Sequence, residues 1–159
     1  MNTPFNFRLT KFPNEAEILR HEVREFLSDA LKDVPKETRA ETWYGADENF
    51  SRKVGQQGWI GLNWPKEHGG AGRSSMERYV ILEEMLTAGA PVGAHWISDR
   101  QSGPLIIRYG TEKHQKELLP GILKGESYFC IGMSEPDSGS DLAALRTKAE
   151  KKGDIYLVN

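Results

Sequence analysis

The periodicity of apolar residues changes once along this 159-residue chain, close to Glu126, and this change constrains the fold more than any other feature. Before it, apolar residues recur at intervals of three and four, the spacing of one face of an α-helix. After it, short apolar runs are separated by turn-forming residues, which is typical of β-strands. The pattern predicts an α+β chain, with an all-α N-terminal domain (residues 1–126) followed by the first strands of a β domain (residues 127–159).

Start and stop signals divide the helical part into segments. Asn14 and Glu17 have the spacing of a capping box, and Ser74 has a glutamate at the same distance. Asp47 and Thr111 each precede a further apolar pattern and indicate two more helix starts. The predicted helices are residues 14–32, 47–57, 75–88 and 111–124. A further helical stretch is predicted after the break at residues 89–91; it runs to residue 109 and bends at Gly103-Pro104. Between the second and the third, residues 59–72 are expected to form a long structured loop.

Strand-like runs follow at residues 128–133, 147–151 and 155–158, and residues 152–154 read as the turn between the last two. Three strands are few for an independent sheet. Because the chain stops at Asn159, we expect this sheet to be incomplete.

Composition indicates a folded chain without a strong attraction to polyanions. Hydrophobic residues make up 38% and charged residues 28%, which supplies a core and argues against general disorder. Lys and Arg number 21 and Asp and Glu 23, a formal net charge of −2, so no global field favours nucleic acid or an anionic membrane. We therefore expect no nucleic-acid partner.

Targeting, redox and metal-binding signals are sparse. The N-terminal residues lack the apolar core of a signal peptide, and no apolar stretch approaches the roughly 20 residues needed to span a bilayer. Cys130 is the single cysteine, and we expect it to be a buried, inert thiol. The four histidines show no metal-ligand spacing, so no metal site is expected. Together these features predict a cytoplasmic protein without a membrane span.

One loop carries the chemistry of the sequence. Residues 132–141 read Gly-Met-Ser-Glu-Pro-Asp-Ser-Gly-Ser-Asp, in which small residues expose backbone N–H groups and three serines add hydroxyls. Such a loop can bind an anion or the polar edge of a heterocycle. It lacks both G-x-G-x-x-G and G-x-x-x-x-G-K-[ST], so the usual dinucleotide and P-loop interpretations fail, and its chemistry alone leaves the ligand open.

The same loop resembles the flavin-binding signature of the acyl-CoA dehydrogenase family, in which a strand ends in Ser/Thr-Glu-Pro and continues into Gly-Ser-Asp. The match runs through residues 133–142. Upstream features that resemble the family at the right distances are Trp-Ile-Gly-Leu at 59–62 with Pro-Lys-Glu-His-Gly-Gly at 65–70, Gly-Thr-Glu at 110–112, and Leu-Pro at 119–120 before Lys-Gly-Glu at 124–126. The resemblance covers nearly the whole chain.

The resemblance implies FAD as the cofactor and a β-barrel-like middle domain after the helices, of which only the beginning is present. In the family, FAD and the acyl thioester lie between the middle domain and a C-terminal helical bundle. Ser134 matches the residue whose backbone and hydroxyl face the flavin ring, and Ser140 matches the serine near the FAD pyrophosphate and the acyl-CoA. Ile131, Met133 and Gly139 match neighbouring flavin contacts.

The resemblance also implies a reaction, the α,β-dehydrogenation of an acyl-CoA thioester to a trans-2-enoyl-CoA. In the family a carboxylate removes the α-proton while the β-hydrogen leaves as hydride to the flavin, and donors aimed at the flavin stabilise its reduced anion. The family's base lies in the C-terminal bundle, so we expect it beyond Asn159 and expect the 159 residues alone to be inactive. Expected partners are the acyl-CoA, an electron-transfer flavoprotein or similar acceptor, and other subunits of a homo- or hetero-oligomer.

Two alternatives stay open. The chain could be a non-catalytic helical module that packs against a partner subunit through apolar surface. It could also belong to an acyl-CoA oxidase or a flavin monooxygenase of the same superfamily, since the loop does not separate these activities.

Several other residues have both a structural and a functional interpretation. His95 and Trp96 fall where the family's helical domain approaches the acyl tail, but we expect them to pack in the core. Trp59 and Trp64 are expected to be core or inter-domain anchors. Glu135 is predicted either to be a loop carboxylate that bonds backbone N–H groups or to contact a ligand, and it has no assigned catalytic role.

Overall fold

Residues 11–159 are described by the structure, a computed structural model, apart from the side chain of Thr42. The first ten residues of the predicted helical domain therefore lie outside the described part. Within it the chain divides into two units between Phe129 and Cys130. The helices are α1 (Asn14–Ala30), α2 (Lys36–Ala40), α3 (Glu48–Gln56), α4 (Ser75–Thr87), α5 (Gly93–Ile97), α6 (Gly103–Tyr109) and α7 (Glu112–Leu123), and the strands are β1 (Ala149–Lys152) and β2 (Ile155–Val158).

Helix α1 follows from its apolar spacing. Leu19, Val23 and Leu27 recur every four residues and are all buried. The predicted cap is wrong: Asn14 is already helical, and Pro13 takes the N-cap position without a side-chain cap. The Pro13 carbonyl accepts the first free N–H groups, at 3.0 Å from the nitrogen of Ala16, and so begins the helix without help from Asn14.

Three other helix starts agree with the sequence signals. The Asp47 carboxylate accepts a hydrogen bond from the N–H of Phe50 at 2.8 Å and caps α3. Ser74 and Glu77 form a reciprocal capping box at the start of α4. Thr111 caps α7. Helix α2 was not anticipated, because it is a single short turn after Pro35 and buries no residue.

The core of the helical unit lies between α1 and α4 and extends through α3 to α5 and α7. Trp59 and Trp64 are both buried in it, which confirms their expected core position. They belong to the predicted long loop, which forms with one 3₁₀ turn at Lys66–His68. Gly61 in this loop has φ +68°, a conformation that glycine tolerates best.

A π-helical turn at Ser98–Ser102 joins α5 to α6 and was not anticipated from the sequence. It places the buried Asp99 at a junction of three elements. The Asp99 carboxylate accepts from the N–H of Gly61 at 2.8 Å and from Arg78 Nη2 at 2.7 Å, and its carbonyl accepts from Trp64 Nε1 at 3.2 Å. These bonds join the long loop and α4 to the turn.

The second unit contains one antiparallel hairpin, with Lys152 opposite Ile155 and a Gly153 turn at φ +63°. The last predicted strand is confirmed, while the strand predicted at 147–151 begins at Ala149. The strand predicted at 128–133 does not form. A strand needs a hydrogen-bonded neighbour, and in residues 11–159 the two strands of the hairpin pair only with each other. Cys130 is exposed rather than buried, which corrects the prediction.

Candidate functional site

The signature loop, defined here as residues 131–141, is shaped by a tight turn at its centre. The N–H of Glu135 donates to the carbonyl of Ser138 at 2.8 Å, and the N–H of Ser138 donates back to Glu135 at 3.1 Å. Pro136 and Asp137 are the two central residues, and proline fixes the φ value that the first central position of a common β-turn requires. The antiparallel pair places Ser134 and Gly139 on neighbouring legs of the turn.

Ser138 closes the turn from inside. The residue is 4% exposed, and its hydroxyl donates to the carbonyl of Asp141 at 2.6 Å. The same carbonyl accepts the N–H of Ala144, at the 3₁₀ turn Leu142–Ala144. The Ser138 hydroxyl is therefore used within the loop, whereas Ser134 and Ser140 are exposed.

Glu135 fastens the loop to the segment that leads into β1. Its carboxylate accepts the backbone N–H groups of Arg146 and Thr147, each at 2.8 Å, and also the Thr147 hydroxyl. The bond from the Thr147 hydroxyl, followed by the two backbone bonds, lowers the pKa of Glu135. The predicted role of Glu135 in bonding backbone N–H groups is observed, and these groups lie beyond the loop, at Arg146 and Thr147.

The five predicted cofactor-binding residues lie together on the two legs of this loop, and all are exposed: Ile131, Met133, Ser134, Gly139 and Ser140. Two of them are apolar, with 45% and 61% of their surfaces accessible. An exposed apolar side chain beside free hydroxyls matches the composition of a small-molecule site, in which apolar contacts surround a few polar groups.

The glycines of the loop are not required by the loop's own packing. A Cβ atom added at Gly132 or Gly139 meets no atom within 4 Å, and neither glycine has a positive φ. Gly103 in the helical unit differs, since a Cβ there lies 2.0 Å from the ring of Trp64. The space beside Gly132 and Gly139 is open, so a ligand can approach the backbone closely there.

Several hydrogen-bond donors of the loop are unpaired. Within residues 11–159, no hydrogen-bond acceptor lies in range of the N–H groups of Ser134, Gly139 and Ser140 or of the hydroxyls of the two serines. Such a set of donors suits an anion or the carbonyl and nitrogen edge of a flavin ring. The residues present therefore fit FAD by their chemistry.

The hydrogen bonds that Glu135 and Ser138 form to hold the loop could not be predicted from neighbouring residues in the sequence. Thr147 lies 12 positions from Glu135, and neither residue type indicates the other. Ser138 could be singled out only as one of three serines. Their roles follow from how the chain folds back on itself.

Residues considered for an acyl pocket lie in the helical unit. His95 is buried, with Nδ1 2.8 Å from Ser51 Oγ, and burial lowers its pKa to about 4. Trp96 is partly buried and packs against the core, as expected. Within residues 11–159, no group of three His, Cys, Asp or Glu side chains could hold a metal, and no helix is long and apolar enough to cross a bilayer.

Comparison with known proteins places the chain among acyl-CoA dehydrogenase sequences. The family of the acyl-CoA dehydrogenase N-terminal domain matches residues 13–126. The chain is 37% identical to the acyl-CoA dehydrogenase FadE26 of Mycobacterium tuberculosis over 157 residues, which cover 96% of this chain and 38% of that relative. The chain thus spans about 38% of the length of this curated relative.

Solved structures share the fold. The ChsE4–ChsE5 complex from Mycobacterium tuberculosis matches with a TM-score of 0.80 and 37% identity, over 96% of this chain and 38% of that chain. A glutaryl-CoA dehydrogenase from Mycobacterium smegmatis in complex with FADH2 matches with a TM-score of 0.74 over 93% of this chain and 38% of that chain, and its 24% identity shows the fold alone. With a family match over most of its length, this chain belongs to the acyl-CoA dehydrogenase family.

Proposed function

We propose that this chain contributes the helical domain and one wall of the flavin site to an FAD-dependent acyl-CoA dehydrogenase. The observation that carries the proposal is the open face of the signature loop. Ser134, Gly139 and Ser140 present donors with no acceptor among residues 11–159, while Glu135 and Ser138 complete the loop's own hydrogen bonds. A loop that is held in shape and still has free donors is preorganised for a ligand. Membership of the family supports FAD as that ligand.

The residues of the loop have distinct parts in this proposal. Ile131 and Met133 supply apolar contact to the flavin ring and exclude water from it. The N–H and hydroxyl of Ser134 donate to the ring edge and stabilise negative charge there. Gly139 and Ser140 present N–H groups and a hydroxyl to the pyrophosphate, and Ser140 also contacts the acyl-CoA. When bound, FAD supplies the acceptor for the hydride that leaves the β-carbon of the thioester.

The general base is assigned to residues outside these 159. Glu135, one of three carboxylates in the loop with Asp137 and Asp141, accepts three hydrogen bonds that lower its pKa. A carboxylate stabilised in its ionised form is a weaker base, and its oxygens are already occupied. Glu135 is therefore not proposed as the base. Because the family's base lies in a C-terminal bundle, we propose that the 159-residue chain by itself does not dehydrogenate an acyl-CoA.

Partners follow from the same proposal. We propose residues 1–126 as the helical domain and residues 127–159 as the beginning of the middle domain. One structural relative is a complex of two proteins, ChsE4 and ChsE5, which supports assembly of this chain into a homo- or hetero-oligomer. The substrate is an acyl-CoA, and an electron-transfer flavoprotein or similar acceptor removes the electrons.

Flavin content tests the proposed site. Because the curated relatives are longer, the gene product in its natural length is purified beside the 159-residue chain. Gly139→Val places a side chain in the open space without a clash inside the loop, so the variant should fold normally and lose most of its visible flavin absorbance. Ser134→Leu should act in the same direction. Lys151→Val, on the exposed face of β1, is the matched control and should retain flavin. Unchanged flavin content in Gly139→Val would contradict the placement.

Activity tests the position of the base. The 159-residue chain is incubated with FAD, a series of acyl-CoA thioesters and an electron-accepting dye. We expect no dye reduction above a protein-free blank, and we expect the natural-length product to reduce the dye. Substrate-dependent reduction by the 159-residue chain would show that the base lies within it.

A further inference from the structure

The two legs of the signature loop are held in different ways. The leg of residues 139–141 is fixed at both ends, because the Ser138 hydroxyl donates to the Asp141 carbonyl at 2.6 Å and the N–H of Ala144 donates to the same carbonyl at 3.1 Å. The leg of residues 131–134 forms no hydrogen bond with any part of residues 11–159. The nearest hydrogen-bonded residue is Glu135, one peptide bond from Ser134.

The Glu135 carboxylate joins this second leg to the base of the hairpin. It accepts the N–H groups of Arg146 and Thr147, each at 2.8 Å, and the Thr147 hydroxyl. The next residue, Lys148, exchanges two backbone hydrogen bonds with Asn159, at 2.9 and 3.1 Å, and so extends the pairing of the two strands. The position of Ser134 is therefore set relative to a hydrogen-bonded hairpin.

This anchor requires both oxygens of a carboxylate. One oxygen accepts from Arg146 and the other from the N–H and the hydroxyl of Thr147. Glu135 has no ion pair within residues 11–159, so neutral donors alone stabilise its charge. Glutamine has the same length, but its amide nitrogen is a donor and cannot accept an N–H. Exchanging one oxygen for nitrogen should therefore release one side of the anchor.

We propose that Glu135 is a positioning residue of the flavin site and acts through Ser134. Its anchor places the Ser134 N–H and hydroxyl for the edge of the flavin ring, whereas Gly139 and Ser140 are held for the pyrophosphate by the separate hydrogen bonds at Ser138 and Asp141. The inference rests on the proposed function, because it requires FAD at the loop. It adds a selective effect: loss of the anchor weakens binding of the ring and leaves binding of the pyrophosphate intact.

Two ligands separate these effects on the natural-length gene product, purified and freed of its flavin. FAD contacts both legs of the loop, whereas ADP has a pyrophosphate and no flavin ring. Glu135→Gln should raise the Kd of FAD about tenfold and leave the Kd of ADP unchanged. Glu150→Gln, the same substitution at an exposed carboxylate of β1, is the matched control and should change neither Kd.

Variants of Thr147 test the anchor from its other side. Thr147→Val keeps the N–H group and the shape of the side chain but removes the hydroxyl, so the Kd of FAD should rise about threefold. Thr147→Ser retains the hydroxyl and should bind FAD as the unmodified product does. The double variant of Glu135→Ala and Thr147→Val should bind FAD no more weakly than Glu135→Ala alone, because the hydroxyl has already lost its acceptor.

The outcomes distinguish the inference from the proposed function. Equal FAD affinity in Glu135→Gln and the unmodified product would overturn the inference and leave the proposed function standing. Equal weakening of FAD and ADP would also overturn it, since Glu135 would then only maintain the fold of the loop. The same holds if ADP does not bind the unmodified product, or if Thr147→Ser binds FAD as weakly as Thr147→Val. If the unmodified product binds no FAD, the proposed function fails and the inference fails with it.

Discussion

Acidification from pH 7 to pH 5 should destabilise the helical unit through one buried residue, His95. The residue is 4% exposed, and its Nδ1 lies 2.8 Å from Ser51 Oγ. Burial lowers the pKa of His95 to about 4, and the nearby Asp99 opposes this effect without cancelling it. The Ser51 hydroxyl can donate or accept, so the hydrogen bond tolerates either state of the ring. The cost of protonation comes from removing the charged ring from water.

The sign and size of the effect follow from linkage. The unfolded chain binds a proton at His95 with an ordinary pKa near 6.5, while the folded chain resists it until about pH 4. Stability from the neutral ring is complete above about pH 6.5 and is lost as the pH falls toward 4. Relative to pH 7, the free energy of unfolding should fall by about 2 kcal/mol at pH 5 and by about 3 kcal/mol at pH 4 through this one group.

Urea denaturation followed by the helical circular dichroism signal measures this loss. The free energy of unfolding is determined at pH 7, 6 and 5 for the unmodified chain and for His95→Asn, whose amide can still bond Ser51 but does not titrate. The variant should be about 1–3 kcal/mol less stable at pH 7, because it leaves a gap in the core. Its further loss on going to pH 5 should be smaller than that of the unmodified chain by about 2 kcal/mol.

Comparing the unmodified chain with His95→Asn cancels the contributions of the other titrating groups. Hydrogen bonds lower the pKa of Glu77 and Glu84, so these carboxylates also weaken the fold in acid, but they do so equally in both proteins. His21→Asn, on the exposed surface of α1, controls for the loss of a histidine as such. If the unmodified chain and His95→Asn lose the same free energy between pH 7 and pH 5, His95 is not a buried neutral group and the reasoning is wrong.

Two further changes test the packing and the charges of the helical unit. Gly103→Ala should lower stability by about 2–3 kcal/mol in the same urea experiment, because its Cβ would lie 2.0 Å from the Trp64 ring. Glu84→Gln should cost about 1–2 kcal/mol, because the buried carboxylate accepts from two arginines of α1, including Arg20 at 2.5 Å. A thermal midpoint unchanged from the unmodified chain would contradict the last estimate.

Local signals account for what sequence could predict. The helices form near their expected positions because apolar spacing and capping residues act within four residues of one another. Asp47 and Ser74 show this directly, since each caps the helix that follows it. The signature loop could be named as a site for the same reason: its glycines, serines and proline are contiguous, and its central turn closes between Glu135 and Ser138.

Contacts between distant residues were decided only by the tertiary structure. The run at 128–133 has strand-like residues but forms no strand, because pairing depends on a neighbour elsewhere in the chain. His95 could be expected in the core, but its lowered pKa depends on complete burial beside Ser51, 44 residues away. The hydrogen bond from Thr147 to Glu135 likewise joins residues that are 12 positions apart in the chain. Amino-acid order determines local conformation, whereas burial and charge pairing depend on which distant segments the fold brings together.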